Sequence, residues 1–471
     1  MQAYLYICST TLHMIDYISQ YQLKFTEFNE LSHLNLKFDN RWIQLGAHLP
    51  WDNLVKIYST RFNEKMGAQS INPRIVIGTF IIKHKLNLSD EEVLLTISEN
   101  PYMQFFLGLE TFYSEKLFSP SLLVELRKRL GKTCFDNFSL ELVKITNAKD
   151  IKVQKHIEEE PRGKMKIDAT VADQYLSYPN DLGLVNEARK KTEKIIDILY
   201  EEVRNEMPIK PRTYRKVAHK RYMSEAKKRQ KNKKSVRKAL RVLLNCVKRN
   251  QKYINNMLDL IAEKDKEYRL PSRYYKQLWV ISTLYEQQQQ MYDDNVNRCP
   301  DRIVNISQPH VRPIVRGKQG KNVEFGSKLG VSLANGYARV DTLSWDAYHE
   351  ASDLPIQAEA YKSLYGYYPE LIQADKIYGT NANRKWCKER NIRITVSPKG
   401  KPKQLSKYQK RKRKQEYGER NQIEGKFGQA KQGYRLNQIK AKRLDTSQTW
   451  IGIVFFVVNL VKFAQLMNFT F

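Results

Sequence analysis

The chain has 471 residues and a formal net charge of +31, from 81 Lys and Arg against 50 Asp and Glu. That length allows two or three domains with real cores, and so large an excess of one sign calls for a polyanionic partner, most simply nucleic acid. The scattered cysteines Cys8, Cys134, Cys246, Cys299 and Cys387 exclude a Cys-x-x-Cys zinc site and fit a reducing cytosol.

The N-terminal stretch MQAYLYICSTTLHMIDYIS has no basic leader region and no small-residue cleavage site, so no signal peptide is expected. Residues 71–131 carry helix punctuation. Asn72-Pro73, Asn100-Pro101 and Ser119-Pro120 each place a capping residue before a first-turn proline. Ser89 and Glu92 form a capping box, and Gly131 suits a helix C-terminus. These short helices predict an all-α N-terminal domain over 1–150, for DNA binding or dimerisation. The spacing is compatible with a helix-turn-helix and equally with a plain scaffold, since no motif here reads bases.

KMKIDATVADQYLSY (164–178) alternates β-branched and aromatic residues, predicting a strand that ends in the turn YPND. Residues 185–299 return to helical spacing and are strongly basic. Residues 210–250 hold 17 Lys and Arg, with Tyr214 and Tyr222 interleaved and Glu225 as the single acid. A solvated run is the plain reading of such charge. VRKALRVLLNCV restores an amphipathic repeat, which favours a basic helical insertion lying on phosphates, with Lys227, Lys228 and Arg229 among its contacts.

Strand signals resume after residue 300. HVRPIVRG is one strand, and EFGSKLGVSLANGYARVDTLS reads as a hairpin turning at Asn335-Gly336. A helix near 355–365, the strand PELIQAD, a helix over 381–391, the strand IRITVSPKG and a helix over 416–433 follow. WIGIVFFVVNLVKFAQL (450–466), interrupted by Asn459 and Lys462, is short for a membrane span and reads as a buried core helix. The expected fold class is α/β. Residues 151–184 and 300–471 form the sheet domain, and 185–299 are inserted after its first strand.

Asp168 follows the apolar KMKI, and Asp375 follows LIQA at the carboxyl end of an expected buried strand, where open α/β sheets build their sites. Either acid alone reads equally as a hydrogen-bonded structural carboxylate. Facing one another they would repel unless a cation intervened, and Mg²⁺ favours such oxygen ligands. Asp173 is a weaker alternative to Asp168, and Asp341 and Asp346 stay open as supporting acids.

YGERNQIEGKFGQAK (417–431), set on a helix, brings Tyr417, Arg420, Glu424 and Lys431 within about 60° of one another. Arg420 and Glu424 then form a surface i,i+4 pair, or Glu424 is a metal carboxylate flanked by phosphate-binding cations. Gly425 and Gly428 permit close packing or close approach of DNA. Just ahead, KYQKRKRK supplies Arg411, Lys412, Arg413 and Lys414 as candidate DNA contacts.

The spacing Tyr-x2-Arg-x3-Glu-x6-Lys resembles the signature of the DDE transposases of bacterial insertion sequences. KIDATVADQYLSYPNDLGL and ADKIYGT resemble that family's two aspartate blocks, and the chain looks closest to the insertion sequence five group and its large relatives. The resemblance implies an RNase H-like catalytic domain in which Asp168, Asp375 and Glu424 are the catalytic triad and hold two Mg²⁺, or Mn²⁺ in their place. It also implies that Arg420 and Lys431 contact DNA phosphates and that Tyr417 holds the strand. The implied activity is cleavage of double-stranded DNA at terminal inverted repeats and strand transfer into target DNA, by a homodimer in the bacterial cytoplasm, nucleoid-associated and without a membrane. The alternatives are an RNase H-like nuclease or resolvase lacking strand transfer, and a non-catalytic, domesticated DNA-binding protein. An insertion at 185–299 is less typical of the family, whose insertions often fall later.

Overall fold

A computed structural model describes residues 36–62, 70–147, 160–263, 268–315, 323–397 and 406–471. Cys8 and residues 398–400 of the expected last strand lie outside them. The chain divides into two compact units. One holds the described residues up to Asp173 with Lys328–Ser344 and Tyr348–Phe471, and the other holds Gln174–Ser327 with Trp345–Ala347.

The first unit opens with helices α1 (Arg41–His48), α2 (Trp51–Ser59), α3 (Pro73–Leu86), α4 (Asp90–Glu99), α5 (Pro101–Leu107) and α6 (Pro120–Thr146). Their starts follow the sequence punctuation. Asn72 and Asn100 accept backbone N–H bonds ahead of the prolines, and Ser89 and Glu92 complete a reciprocal capping box. Gly131 adopts the expected positive φ of 66°, but the helical run resumes at once, so it kinks α6 instead of ending it.

Strand β1 is Lys164–Asp173, shorter than the alternation to residue 178 suggested. Ala169–Asp173 are buried on both faces, which ends the half-buried pattern. In this unit the sheet continues with β3 (from Lys328), β4 (Tyr337–Ser344), β5 (Leu371–Gln373) and β6 (Arg393–Ile394), ordered β4-β3-β1-β5-β6. β1, β5 and β6 run parallel, and β3 and β4 form the expected hairpin. Asn335 and Gly336 both have positive φ, as a type I′ turn requires. β6 keeps only two residues of the expected strand, after which Thr395 N–H still bonds to Ile372 O.

Helices α11 (Asp353–Tyr365), α12 (Asn381–Glu389), α13 (Lys407–Gly428) and α14 (Leu444–Leu466) complete the unit. The N-terminal helices, the sheet and α14 share a single core, so the described N-terminal helices belong to the same compact unit as the sheet. α14 is the one helix among the described residues long and apolar enough to cross a membrane, yet 78% of its most apolar window is buried in protein. Gly452 lets α14 approach α6 closely: a Cβ there would lie 3.2 Å from Lys132 O, a tight contact that a small shift would have to relieve.

Asn459, which interrupts the apolar run, has a structural task. Its Oδ1 accepts from Ala338 N–H at 2.9 Å and its Nδ2 donates to Ala338 O at 2.8 Å, satisfying the outer edge of β4 inside the core. Asn459→Leu strands both backbone groups, and a loss of about 2–4 kcal/mol is expected. Urea unfolding checks this; an unchanged midpoint would show that the two groups find other partners.

The second unit contains α7 (Asp181–Val203), α8 (Arg215–Ala226), α9 (Lys233–Glu263), α10 (Ser272–Asp293) and β2 (Arg312–Val315), which pairs with Val323–Gly326. Two apolar clusters hold the helices together. Asn250 on α9 donates to Thr192 on α7 at 3.0 Å in the interior. Glu225, the lone acid of the basic run, is buried. It accepts from Lys228 and Ser235 and so ties the end of α8 to the start of α9.

Candidate active site

Three elements of the first unit carry the expected acids. Asp168 lies within β1, with its side chain 18% exposed. β1 and β5 pair Lys164 with Leu371, Met165 with Ile372 and Lys166 with Gln373. The same register continued for two residues sets Asp168 level with Asp375, just past the end of β5. Asp375 is exposed and caps the 3₁₀ turn Lys376–Tyr378, accepting from Lys376 N–H.

α13 packs against β1 and β5 and is tied to the strands by polar contacts. Lys164 pairs with Glu419 at 3.0 Å, Arg393 with Glu416 at 2.5 Å, and Gln373 Nε2 donates to Glu416 O and to a Glu419 oxygen. The helix begins at Lys407, earlier than expected, because Ser406 and Gln409 form a capping box and the Lys/Arg run favours helix.

One guanidinium joins two of the expected acids. Arg420 Nη2 donates to Glu424 Oε1 at 2.9 Å, and Nη1 lies 3.4 Å from Asp168 Oδ2. The i,i+4 pair read from the sequence exists, but it reaches across to β1 as well. Burial pushes the Asp168 carboxyl above its ordinary value. The Ala169 backbone N–H and Arg420 pull it back, while Glu350 and Glu424 push it further up.

The sequence singled out neither Glu350 nor Tyr378. Glu350 sits in the 3₁₀ turn Glu350–Ser352 and pairs with Lys328 at 3.2 Å. It would pass as an ordinary first-turn acid ahead of α11, and only the fold brings its charge to bear on Asp168. Tyr378 is fully buried, and its hydroxyl has no hydrogen-bond partner among the described residues. Burial raises its phenol, reinforced by the charges of Glu350 and Asp168.

The four-residue face of α13 is only partly kept. Tyr417 is 40% exposed and Glu424 is 53% exposed at its side chain, with the less exposed Arg420 between them. Lys431 falls in a π-helical turn, Gln429–Gly433, so a projection at 100° per residue does not carry through to it. Packing does not require Gly425 or Gly428, since a Cβ at either would meet nothing within 4 Å. Arg411, Lys412 and Lys414 are exposed on the first half of α13, and Arg413 is half-buried. Lys227, Lys228 and Arg229 are exposed in the second unit, with Lys228 held by Glu225.

The other acids left open have structural tasks. Asp341 is buried against Arg339 at 2.5 Å. Asp346 lies in the second unit, 3.8 Å from Arg312. Asp173 is buried at the end of β1, and its backbone oxygen accepts from Ile439 N–H.

Asp168, Asp375 and Glu424 offer only carboxylate oxygens, the donor set a hard divalent cation prefers. Among the described residues no three metal-capable side chains gather into a ready-made cluster. A guanidinium already lies between Asp168 and Glu424, where the fold demands positive charge. The donor chemistry therefore fits Mg²⁺ or Mn²⁺, with Arg420 competing for two of the three acids.

Residues 372–461, from β5 through most of α14, match the family model "Transposase DDE domain". Residues 30–129 match the model "Transposase domain (DUF772)". A protein of Rhizobium meliloti, "Uncharacterized protein ORF8 in nfe locus", is 29% identical over 139 residues, covering 30% of this chain. The chain spans 64% of that relative's length. No solved structure matches the chain. Both models are transposase models, and they match separate stretches of the one chain.

Proposed function

We propose that the protein cuts double-stranded DNA at terminal inverted repeats and joins the freed 3′ ends to target DNA, using Asp168, Asp375 and Glu424 as its catalytic carboxylates. The observation that carries this reading is the Arg420 guanidinium bridging Asp168 on β1 and Glu424 on α13, beside the strand register that sets Asp375 level with Asp168. The strand order β4-β3-β1-β5-β6, with β1, β5 and β6 parallel, supports an RNase H-like arrangement.

The three carboxylates would hold two Mg²⁺, which supply Lewis-acid stabilisation of the phosphoryl oxygens and an activated attacking oxygen. The chain's own residues do the rest. Arg420 keeps Asp168 and Glu424 together and lowers the electrostatic cost of their proximity. Arg411, Lys412 and Lys414 on α13, with Lys227 and Arg229 in the second unit, take backbone phosphates, and Tyr417 and Lys431 flank the strand near Glu424. The domain roles stay as the sequence suggests: helices before residue 150 for end binding or dimerisation, and 185–299 as a basic arm. Two ends must be cut together, which favours a dimer.

A non-catalytic DNA-binding protein would also bind the ends, so the test must read chemistry. Purified protein, a duplex bearing the element's ends and Mg²⁺ should yield nicked ends, with no product in EDTA. Joined products with added target DNA separate a transposase from a simple nuclease. Asp375→Asn should bind the ends without cutting them; normal cutting by that variant would remove Asp375 from the site.

Glu350 gives a pH test. Its charge helps raise the Asp168 carboxyl, so Glu350→Gln should let Asp168 ionise at lower pH. The acid limb of the cleavage profile then moves to lower pH. An unmoved limb would mean that Asp168 ionisation does not govern it.

A further inference from the structure

The first unit contains a second basic feature that the proposed chemistry does not use. A cavity of about 390 Å³ opens between α3, the start of α4, α6 and the segment from Tyr434 into α14. Lys83, His84 and Arg127, each no more than 4% exposed, line its floor. Asp90 is the one acid in the lining. Its Oδ1 is shared by Lys83, at 3.0 Å, and by Arg127, leaving the floor with positive charge in excess.

Two donors and one imidazole nitrogen of the lining residues are unsatisfied. His84 Nε2, Arg127 Nε and Trp450 Nε1 are buried and have no hydrogen-bond partner among the described residues. Buried polar groups ordinarily find partners, and three orphans around one basic cavity point to a missing acceptor. The rim adds Arg435, Lys440, Lys442 and Arg443, all exposed. Arg443 is paired with Asp445 at 2.6 Å. The rim segment is held in place, since Ile439 N–H bonds to Asp173 O and Ser447 Oγ donates to Ala441 O at 2.7 Å. Burial lowers the Lys83 ammonium, Asp90 partly restores it, and Arg127 and Lys440 lower it again. His84 is held well below its ordinary value by burial, Lys83 and Arg127, so it is neutral near pH 7.

A tetrahedral anion with several acceptor oxygens answers both the charge and the orphan donors. We propose that this cavity seats a backbone phosphate of duplex DNA, at a contact separate from the carboxylate site. The proposal rests on the DNA-binding reading above.

The test measures Kd for a short random-sequence duplex against salt concentration, by fluorescence anisotropy, on the full chain. Lys440→Gln/Lys442→Gln alters only exposed side chains and should lower the slope of log Kd on log salt by about 1–2. Lys385→Gln/Lys388→Gln removes the same charge from exposed positions on α12 and should leave the slope near the wild-type value. Trp450→Phe keeps the ring, removes the Nε1 donor, and should weaken binding about 2- to 10-fold at fixed salt. If the wild type binds and the rim variant matches the α12 control, or Trp450→Phe binds as well as the wild type, the phosphate seat is overturned. If the wild type itself binds no duplex, the DNA reading beneath the proposal fails instead.

Discussion

Asp168→Asn is expected to give a folded protein that binds DNA ends, cuts them about 10³-fold or more slowly, and melts higher than the wild type in EDTA. The catalytic loss follows if Asp168 belongs to the proposed metal-binding set, whose transition-state stabilisation would be worth several kcal/mol, at tenfold in rate per roughly 1.4 kcal/mol. The stability gain follows from the direction of the Asp168 shift. Its carboxyl is raised in the fold, chiefly by burial. An acid raised on folding binds its proton more tightly in the native state. Its contribution to stability is present at low pH and declines as pH rises from the unfolded carboxylate value through the folded one. Above that window the ionised carboxylate destabilises the fold, and asparagine removes that charge. The wild type should therefore lose stability across this window in EDTA, and Asp168→Asn should lose less. Thermal melts over a pH series, beside a cleavage assay, test both halves. A variant that melts lower at neutral pH would mean that the Arg420 contact outweighs the burial of Asp168.

Much of this site was legible in the sequence because it depends on local patterns. Asp168 and Asp375 are marked by the apolar residues just before them, and the parallel register of β1 and β5 sets them level. The hairpin at Asn335-Gly336 and the capping boxes are equally local, each needing only residues a few positions apart. What failed to show depends on distant contacts or on a break in periodicity. Glu350 is near Asp168 only because the hairpin and the turn after it are folded. Lys431 leaves the face of α13 because a π turn interrupts the 3.6-residue repeat, and no simple spacing announces such a turn. Asn459 looked like a blemish in an apolar helix, and its purpose became visible only with the edge of β4 beside it. The helices beginning at Pro73, Asp90, Pro101 and Pro120 have starts readable from the residues before them, but their sharing of a core with α14 is a long-range fact.

Arg420→Gln is expected to make the stability of the fold respond more strongly to divalent metal. In the wild type the guanidinium is largely buried, 14% exposed, and lies between Asp168 and Glu424. Removing it leaves a part-buried carboxylate without its cation. The cost is expected to be about 1–2 kcal/mol, below that of a fully buried pair because Glu424 is half in solvent. The same substitution clears the space in which a metal must compete. Mg²⁺ should therefore raise the Tm of Arg420→Gln by more than it raises the Tm of the wild type, because binding to the native state stabilises it, and tighter binding at the same concentration stabilises it more. Cleavage should nevertheless fall, since Glu424 and Asp168 lose the group that holds them together. Arg420→Lys separates charge from geometry: an ammonium is a point charge that does not span two carboxylates as a planar fork does, so it should restore part of the metal-free stability and little of the cleavage. Melts with EDTA and with Mg²⁺ on the three proteins provide the readout. Equal Mg²⁺-induced shifts in wild type and Arg420→Gln would mean that the guanidinium and the metal do not share these carboxylates, and the assignment of Glu424 with Asp168 to one metal site would fall.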